Sequence, residues 1–415
     1  MKNNDSIFDV AIVGSGMVGS SLALALSKLP LKVALIDPYP QNSESAPAFD
    51  ARAIALSWGS TRIFKGLGIW SQLQPIATPI NQIHISDRGH PGISRLDSEQ
   101  FNVSAMGQVV ELEDVGKVLH RALLETKTTQ FCPATVVAIS HTDDYTKLEL
   151  ETENKSIPKL LKAKLVVAAD GNQSVIRKMS GINIDERPYS QVAVISTIQT
   201  QLPHKNVAYE RFTETGPVAF LPLSNNRISL VWMMDAEIAE QRVNSSDSDF
   251  IDHLQTQFGQ RLGRITRVGK RHSYPLNLVQ AKACIDKRLV IIGNAAQSLH
   301  PIAGQGFNLG LRDVATLSDI LRRSCLEEID PGMLSLLEDY QQWRKPDRKM
   351  VVEFTDTMAR LFTNPATILS APRNLMLMTM SGLPPMRRQL AEAAMGLTGK
   401  QPRLVRGLTL DMQEN

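Results

Sequence analysis

Apolar positions along this chain fall into two textures. Near the N-terminus they form dense runs, IFDVAIV at 7–13 and KVALID at 32–37, with GSGMVG and the Ala/Leu-rich SSLALALSK between them. Runs of that length predict strands buried on both faces, and the intervening segment predicts a helix. EDVGKVLHRALLET at 113–126 places Val115, Val118, Leu119, Ala122 and Leu123 on one helical face. Strands are expected at 133–139 and 146–151, and KLVVAAD at 164–170 reads as another buried one. Residues 191–234 differ: QVAVISTIQT, VAYERFTE, PVAFLPL and RISLVWMM are short, β-branched and aromatic, with turn signals between them. They predict an antiparallel sheet. Helix-start chemistry follows at Ser245 to Asp249, and the buried-strand texture returns with RLVIIGN at 288–294.

This order predicts an α/β fold: a Rossmann-like nucleotide-binding domain with an inserted antiparallel-sheet substrate domain and a C-terminal helical region. The expected pieces are 1–78, 105–180 and 276–345 for the first domain, 79–104 and 181–275 for the second, and 346–415 for the helical end. A length of 415 residues suits two domains.

The chemistry sits at two glycine-lined helix starts. In the first, Gly14 permits a tight turn, Gly16 lets backbone approach a pyrophosphate, and Gly19 lets helix and strand pack closely. Asp37, at the end of the next strand, lies where an adenosine ribose would be bound. The alternative is a glycine turn with no ligand. In the second, GNAAQSLHPIAGQGFNLGLRD at 293–313, amides of Gly304, Gln305, Gly306 and Phe307 would point from a helix N-terminus at whatever lies above. No acidic strand end follows this second turn, so it is not a repeat of the first. One extended cofactor touched at both ends, FAD, accounts for the pair; two separate nucleotides are the competing explanation.

Composition narrows the classes. With 43% hydrophobic and 21% charged residues the chain is ordinary and globular. Three dispersed cysteines, Cys132, Cys284 and Cys325, suit neither a disulfide framework nor a zinc site, and point to a reducing cytosol. Neither a secretory leader nor a run of about 18 apolar residues is present, so a cytoplasmic protein, working at the inner-membrane surface if at a membrane at all, is expected. Residues 341–415 carry 11 Lys/Arg against 6 Asp/Glu, which reads as a solvated helical face or as contact with an anionic membrane or partner. With 5% aromatic residues, a nucleic-acid surface is not expected.

The three motifs GSGMVG (14–19), ADGNQSVIR (169–177) and GNAAQSLHPIAGQGFNLGLRD (293–313) occur in the order of the class A FAD-dependent aromatic hydroxylases of the p-hydroxybenzoate hydroxylase type, which the sequence resembles over residues 7 to about 345. GNAAQ, HPIAGQG and DARAIALS (50–57) resemble the ubiquinone-biosynthesis branch, typified by 2-polyprenyl-6-methoxyphenol hydroxylases. The resemblance implies a monooxygenase that hydroxylates a polyprenyl phenol through a flavin C4a-hydroperoxide, with NADPH or NADH as transient electron donor and O2 as co-substrate. It implies FAD contacts from Arg52, Gln108, Asp170, Gly171, Asn294 and Asn308, with Asn294 standing where the family usually has Asp.

His300 is a candidate base for the phenol, or a residue that orients its loop, and Pro301 a candidate to present its carbonyl to the substrate or simply to shape the turn. Asp313 reads as a local cap. The Met/Leu-rich stretch 366–398, with Arg373, Arg387 and Arg388, reads as core packing, as an interfacial helix, or as a docking face for other enzymes of the pathway. A flavin-dependent reductase and a non-catalytic flavin-binding subunit remain the alternatives; the halogenase WxWxIP signature is absent.

Overall fold

The computed structural model describes residues 7–40, 52–298, 304–363 and 383–412. Its first sheet has five parallel strands in the order Thr129–Phe131, Val33–Ile36, Phe8–Val13, Leu160–Ala168 and Leu289–Ile291. Alternation along these buried strands divides their side chains between two cores. Val10, Ile12, Leu35, Leu165 and Val167 pack on one face with the helices Met17–Leu26, Leu112–Leu124 and Gln305–Leu326. Ala11, Val13, Ala34, Ile36 and Val166 pack on the other with an antiparallel pair, Thr135–His141 and Thr146–Glu151. Both faces are covered, as parallel sheets require. The Rossmann-like core expected from the sequence is therefore present.

The second sheet is mixed. Ile184–Thr200 is its long axial strand, flanked by His272–Ala281 and Arg227–Asp235, and continues through Val218–Pro222 to Val207–Phe212. There the sheet takes in the earlier hairpin Gln82–Asp87 and Ile93–Asp97, joined through a parallel pairing of Val207–Phe212 with Gln82–Asp87. Purely antiparallel pairing was expected, but a strand arriving from another part of the chain has no tight turn to force that direction. The sheet also runs past residue 275: His272–Ala281 stays paired as far as Ala281, and Gln297–Ser298 adds to its edge.

One face of this sheet is closed by helix Asp247–Phe258, whose Phe250, Leu254 and Phe258 pack on Val194, Phe220 and Trp232. Ser246 caps that helix, accepting from the Asp249 amide at 3.1 Å, within the helix-start signal at Ser245 to Asp249. The opposite face looks toward the nucleotide-binding domain.

The helical end is less separate than its sequence suggests. Helix Leu334–Thr363 runs through Pro346 as one helix, and Arg344 and Arg348 point inward, buried on Asp313. Part of the basic excess is thus internal charge pairing rather than a solvated face. Arg387 and Arg388 lie on helix Pro384–Ala394, while Arg373 lies outside the described residues.

Candidate active site

Two cavities meet at the first glycine turn. The smaller, about 380 Å³, is lined by Gly14, Asp37, Asp170 and Gly171 among others; the larger, about 940 Å³, by Arg52, Asn294 and the start of helix Gln305–Leu326. Gly16, Met17, Ala169 and Gly171 line both. The arrangement offers a continuous path for one long molecule from Asp37 to Gly306.

The first turn is shaped by backbone against backbone. Gly14 has φ +103° and a Cβ there would lie 2.5 Å from the Ala169 carbonyl oxygen; one on Gly19 would lie 1.9 Å from the Gly14 oxygen. Gly16 is the opposite case, with open space where a side chain would be. Helix Met17–Leu26 starts at Gly16 with no side-chain cap, leaving its first amides directed at the junction of the cavities. Asp37 is buried at the rim of the smaller cavity, accepting from the Ser15 amide at 2.6 Å and the Tyr39 amide at 2.9 Å. Gln108, in strand Gly107–Glu111, is half-buried and not among the lining residues of either cavity, although Met106 and Gly107 line the larger one.

The second turn is shaped by side chains. Gly304 adopts φ +60° and helix Gln305–Leu326 again begins without a side-chain cap. Gln305, Gly306, Phe307 and Asn308 all line the larger cavity, and nothing lies within 4 Å of a Cβ on Gly306. Asn308 is saturated by the protein: its Oδ1 accepts from the Ser57 amide (2.8 Å) and Ser60 Oγ (2.7 Å), and its Nδ2 donates to the Ala55 and Gly304 carbonyls, both at 2.8 Å. It locks the strand before helix Trp58–Gly66 onto the second turn.

Asp170 is also engaged, accepting from Ser174 Oγ and from the Val175 and Ile176 amides, so it organises the start of helix Val175–Met179 while lining the smaller cavity. Asn294, in contrast, is exposed and lines the larger cavity, and Arg52 lines it with its guanidinium 4.9 Å from the centre of the Tyr274 ring. His300 and Pro301 lie outside the described residues.

Two positioning residues were not selected from the sequence. Arg177 donates to the Ala295 carbonyl at 2.7 Å and the Asn172 carbonyl at 2.9 Å, tying the middle motif to the third. Asp313, which reads as a local cap, is fully buried and accepts from the Gly293 amide at 3.1 Å, from Arg344 at 2.8 Å and from Arg348 at 2.9 Å. Burial alone would raise its carboxyl; Arg348 and Arg344, the Arg344 hydrogen bond and the Gly293 amide outweigh that and hold it below the usual carboxylate range. A visible signal was Arg344 and Arg348 spaced i,i+4 on one helix face.

The rest of the larger cavity is apolar. It is walled by the open face of the second sheet, including Ile195, Val231, Ala219 and Ile85, and by Val351, Phe354 and Leu390 from the helical end. Such a lining holds an aromatic ring and keeps water out.

Residues 8–355 match the family described as FAD binding domain. The chain is 34% identical over 414 residues to ubiquinone hydroxylase UbiL of Rhodospirillum rubrum, covering 98% of this chain and 94% of that one. It is 31% identical over 394 residues to the 3-demethoxyubiquinol 3-hydroxylase of Escherichia coli, covering 94% and 98%. The crystal structure of p-nitrophenol 4-monooxygenase PnpA from Pseudomonas putida superposes with a TM-score of 0.77 at 19% identity, covering 95% of this chain and 99% of the other.

Proposed function

The chain belongs to the FAD binding domain family, and from that premise we propose that it is an FAD-dependent monooxygenase that hydroxylates the aromatic ring of a polyprenyl phenol in ubiquinone biosynthesis. The observation that carries this reading is the pair of uncapped glycine helix starts opening onto joined cavities, one end polar at Asp37 and the other facing an apolar sheet. FAD fits that cradle: bare backbone at Gly16 and Gly306 leaves room that a Cβ would fill.

Gly14, Gly16 and Gly19 would hold the pyrophosphate, Asp37 the adenosine ribose, and Asp170, Gly171 and Asn294 the middle of the cofactor. Gln305, Gly306 and Phe307 would meet the flavin ring with their amides, whose partial positive charge favours electron density there. Arg52 would bring a fixed positive charge to the same cavity. Gln108, His300 and Pro301 are carried only by the family resemblance. The bound cofactor supplies two-electron reduction by NADPH or NADH and the activation of O2, one oxygen atom entering the ring and the other leaving as water. The chain's own part is to orient the ring and exclude water from the site.

A cavity of about 940 Å³ is larger than a flavin ring and a phenol require, which supports a substrate with a long apolar substituent. Met350 and Met386 line it while remaining 38% and 41% exposed, an apolar rim through which a prenyl tail would enter from a membrane surface. No described helix is long and apolar enough to cross a membrane. Other enzymes of the pathway are the further partners we propose.

The experiment is a turnover assay of the FAD-loaded protein under ¹⁸O2 with NADPH and a short-chain polyprenyl phenol. The proposal requires one labelled oxygen in the product. NADPH oxidation yielding only H2O2 with every phenol tried would overturn it.

A further inference from the structure

On the cavity face of the second sheet, neighbouring strands bring Ile195, Val231, Ala219, Glu210 and Ile85 into one line of register partners. All five line the larger cavity. The chain thus places one carboxyl in the middle of a hydrocarbon wall. Strand Val207–Phe212 alternates, with Ala208, Glu210 and Phe212 on the cavity face. Arg211 points away, donating to the Gln257 carbonyl at 3.1 Å and to Ser86 Oγ at 3.3 Å. It cannot neutralise Glu210.

One Glu210 carboxyl oxygen is shielded and has no hydrogen-bond partner, while the residue as a whole is half-buried and lines the cavity. Burial in these surroundings pushes the acid up to about 7. A buried acceptor without a donor destabilises the fold, and glutamate is not favoured in strands. The fold gains nothing from this side chain; a ligand that brings a donor to it would.

The charged and titratable groups around it are few. Arg52, Tyr209 and Tyr274 line the same cavity. Asp87 stands in register with Phe212, one pleat farther along the neighbouring strand. His84 and Arg95 are register partners on the side of Tyr209, with Arg261 3.3 Å from His84. The helices that close the cavity contribute Met350, Val351, Phe354, Gln389 and Leu390, none of them charged. An isolated acceptor in an apolar wall suits a neutral ring bearing a hydroxyl, not a cation.

Building on the function proposed above, we propose that Glu210 binds the ring hydroxyl of the phenol substrate and takes its proton. The phenolic O–H bond breaks, the proton passes to a Glu210 carboxylate oxygen, and the electron pair stays on the ring oxygen, which enriches the ring carbons for oxygen transfer. After the oxygen is delivered, the hydrogen at the new C–O carbon leaves as a proton and aromaticity returns. The Glu210 proton then goes back to the ring oxygen, and the carboxylate is regenerated. A value near neutrality leaves enough carboxylate to act and enough basicity to be effective.

The test uses the FAD-loaded protein, Glu210→Gln and Glu210→Asp, and two probes: a short-chain 2-prenylated phenol, and a ring-fluorinated analogue acidic enough to be ionised at the assay pH. In the wild type, the ultraviolet difference spectrum of the bound prenylated phenol should show the red shift of a hydroxyl hydrogen-bonded to a carboxylate, growing as pH rises through about 7. Glu210→Gln should bind it without that pH-dependent shift. Turnover by Glu210→Gln should fall about 10²-fold or more, lose the rising limb of the pH profile near 7, and recover with the ionised analogue. Glu210→Asp should retain the limb with a lower rate. A spectral shift and pH limb unchanged in Glu210→Gln would overturn the assignment. If the wild type shows the Glu210-dependent spectral shift but forms no hydroxylated product, the monooxygenase reading fails and the binding assignment stands.

Discussion

Two helices of this protein begin at a glycine without a side-chain cap, at Gly16 and at Gly304, and they are held in place by different means. At the first, Gly14 lies against the Ala169–Asp170 backbone and Gly19 against the Gly14 carbonyl. At the second, the chain is fixed by polar side chains from distant segments. Asn308 reaches Ala55, Ser57 and Ser60, and Asp313 joins Gly293 to Arg344 and Arg348. Close backbone packing is rigid and tolerates no added atom, whereas a buried polar network holds only while each member is present. The end of the site assigned to the pyrophosphate is therefore set by steric fit, and the end assigned to the flavin ring by charge and hydrogen bonds.

The sharpest way to break the second end is to remove an atom group. Asp313→Ala should destabilise the protein by about 3–5 kcal/mol, because Arg348 is left buried without its counter-charge and Arg344 keeps only Asp347. Chemical denaturation at neutral pH would measure it. Since the folded-state carboxyl is held below its unfolded value, its contribution is fully present above about pH 4 and is lost as pH falls below that. The variant should accordingly lose part of the wild type's acid-side slope in stability.

The first end should break by addition. Gly19→Ala would place a methyl 1.9 Å from the Gly14 carbonyl oxygen and 3.3 Å from the Ala169 Cβ, with no flexible side chain to yield. About 3 kcal/mol of destabilisation and poor FAD retention are expected, read from thermal melts and the visible spectrum of the purified protein. Asn308→Ala, which strands the Ser57 amide and the Ala55 carbonyl, should be milder at about 2 kcal/mol. The smallest expected effect is the most discriminating. Gly306→Ala meets nothing within 4 Å, so apoprotein stability should stay within about 0.5 kcal/mol of wild type. FAD affinity, measured by fluorescence titration, should fall about tenfold, or 1.4 kcal/mol.

The same contrast explains what could be read from the chain. The first glycine turn was legible because its parts lie within one strand–helix–strand unit, from Phe8 to Asp37. The second was legible as a helix start, but not its supports: Asn308 meets residues 248 to 253 positions away, and no local pattern announces such bonds. Asp313 reads locally as a cap because its partners Arg344 and Arg348 lie on another helix, 31 and 35 residues on. Alternation in VAYERF did mark the strand Val207–Phe212. The same alternation put Glu210 on the face of Ala208 and Phe212, a charge on an apolar side that the sequence reading did not single out. The parallel join of Val207–Phe212 with Gln82–Asp87 escaped because register between distant strands is set by tertiary packing.

The measurement that most directly tests the account is an equilibrium titration of flavin-stripped protein with FAD, repeated in the presence of saturating ADP. A single long cofactor spanning both glycine starts predicts one FAD per chain, with ADP competing for the Asp37 end and weakening FAD binding. Two flavins per chain, or FAD binding indifferent to ADP, would contradict it.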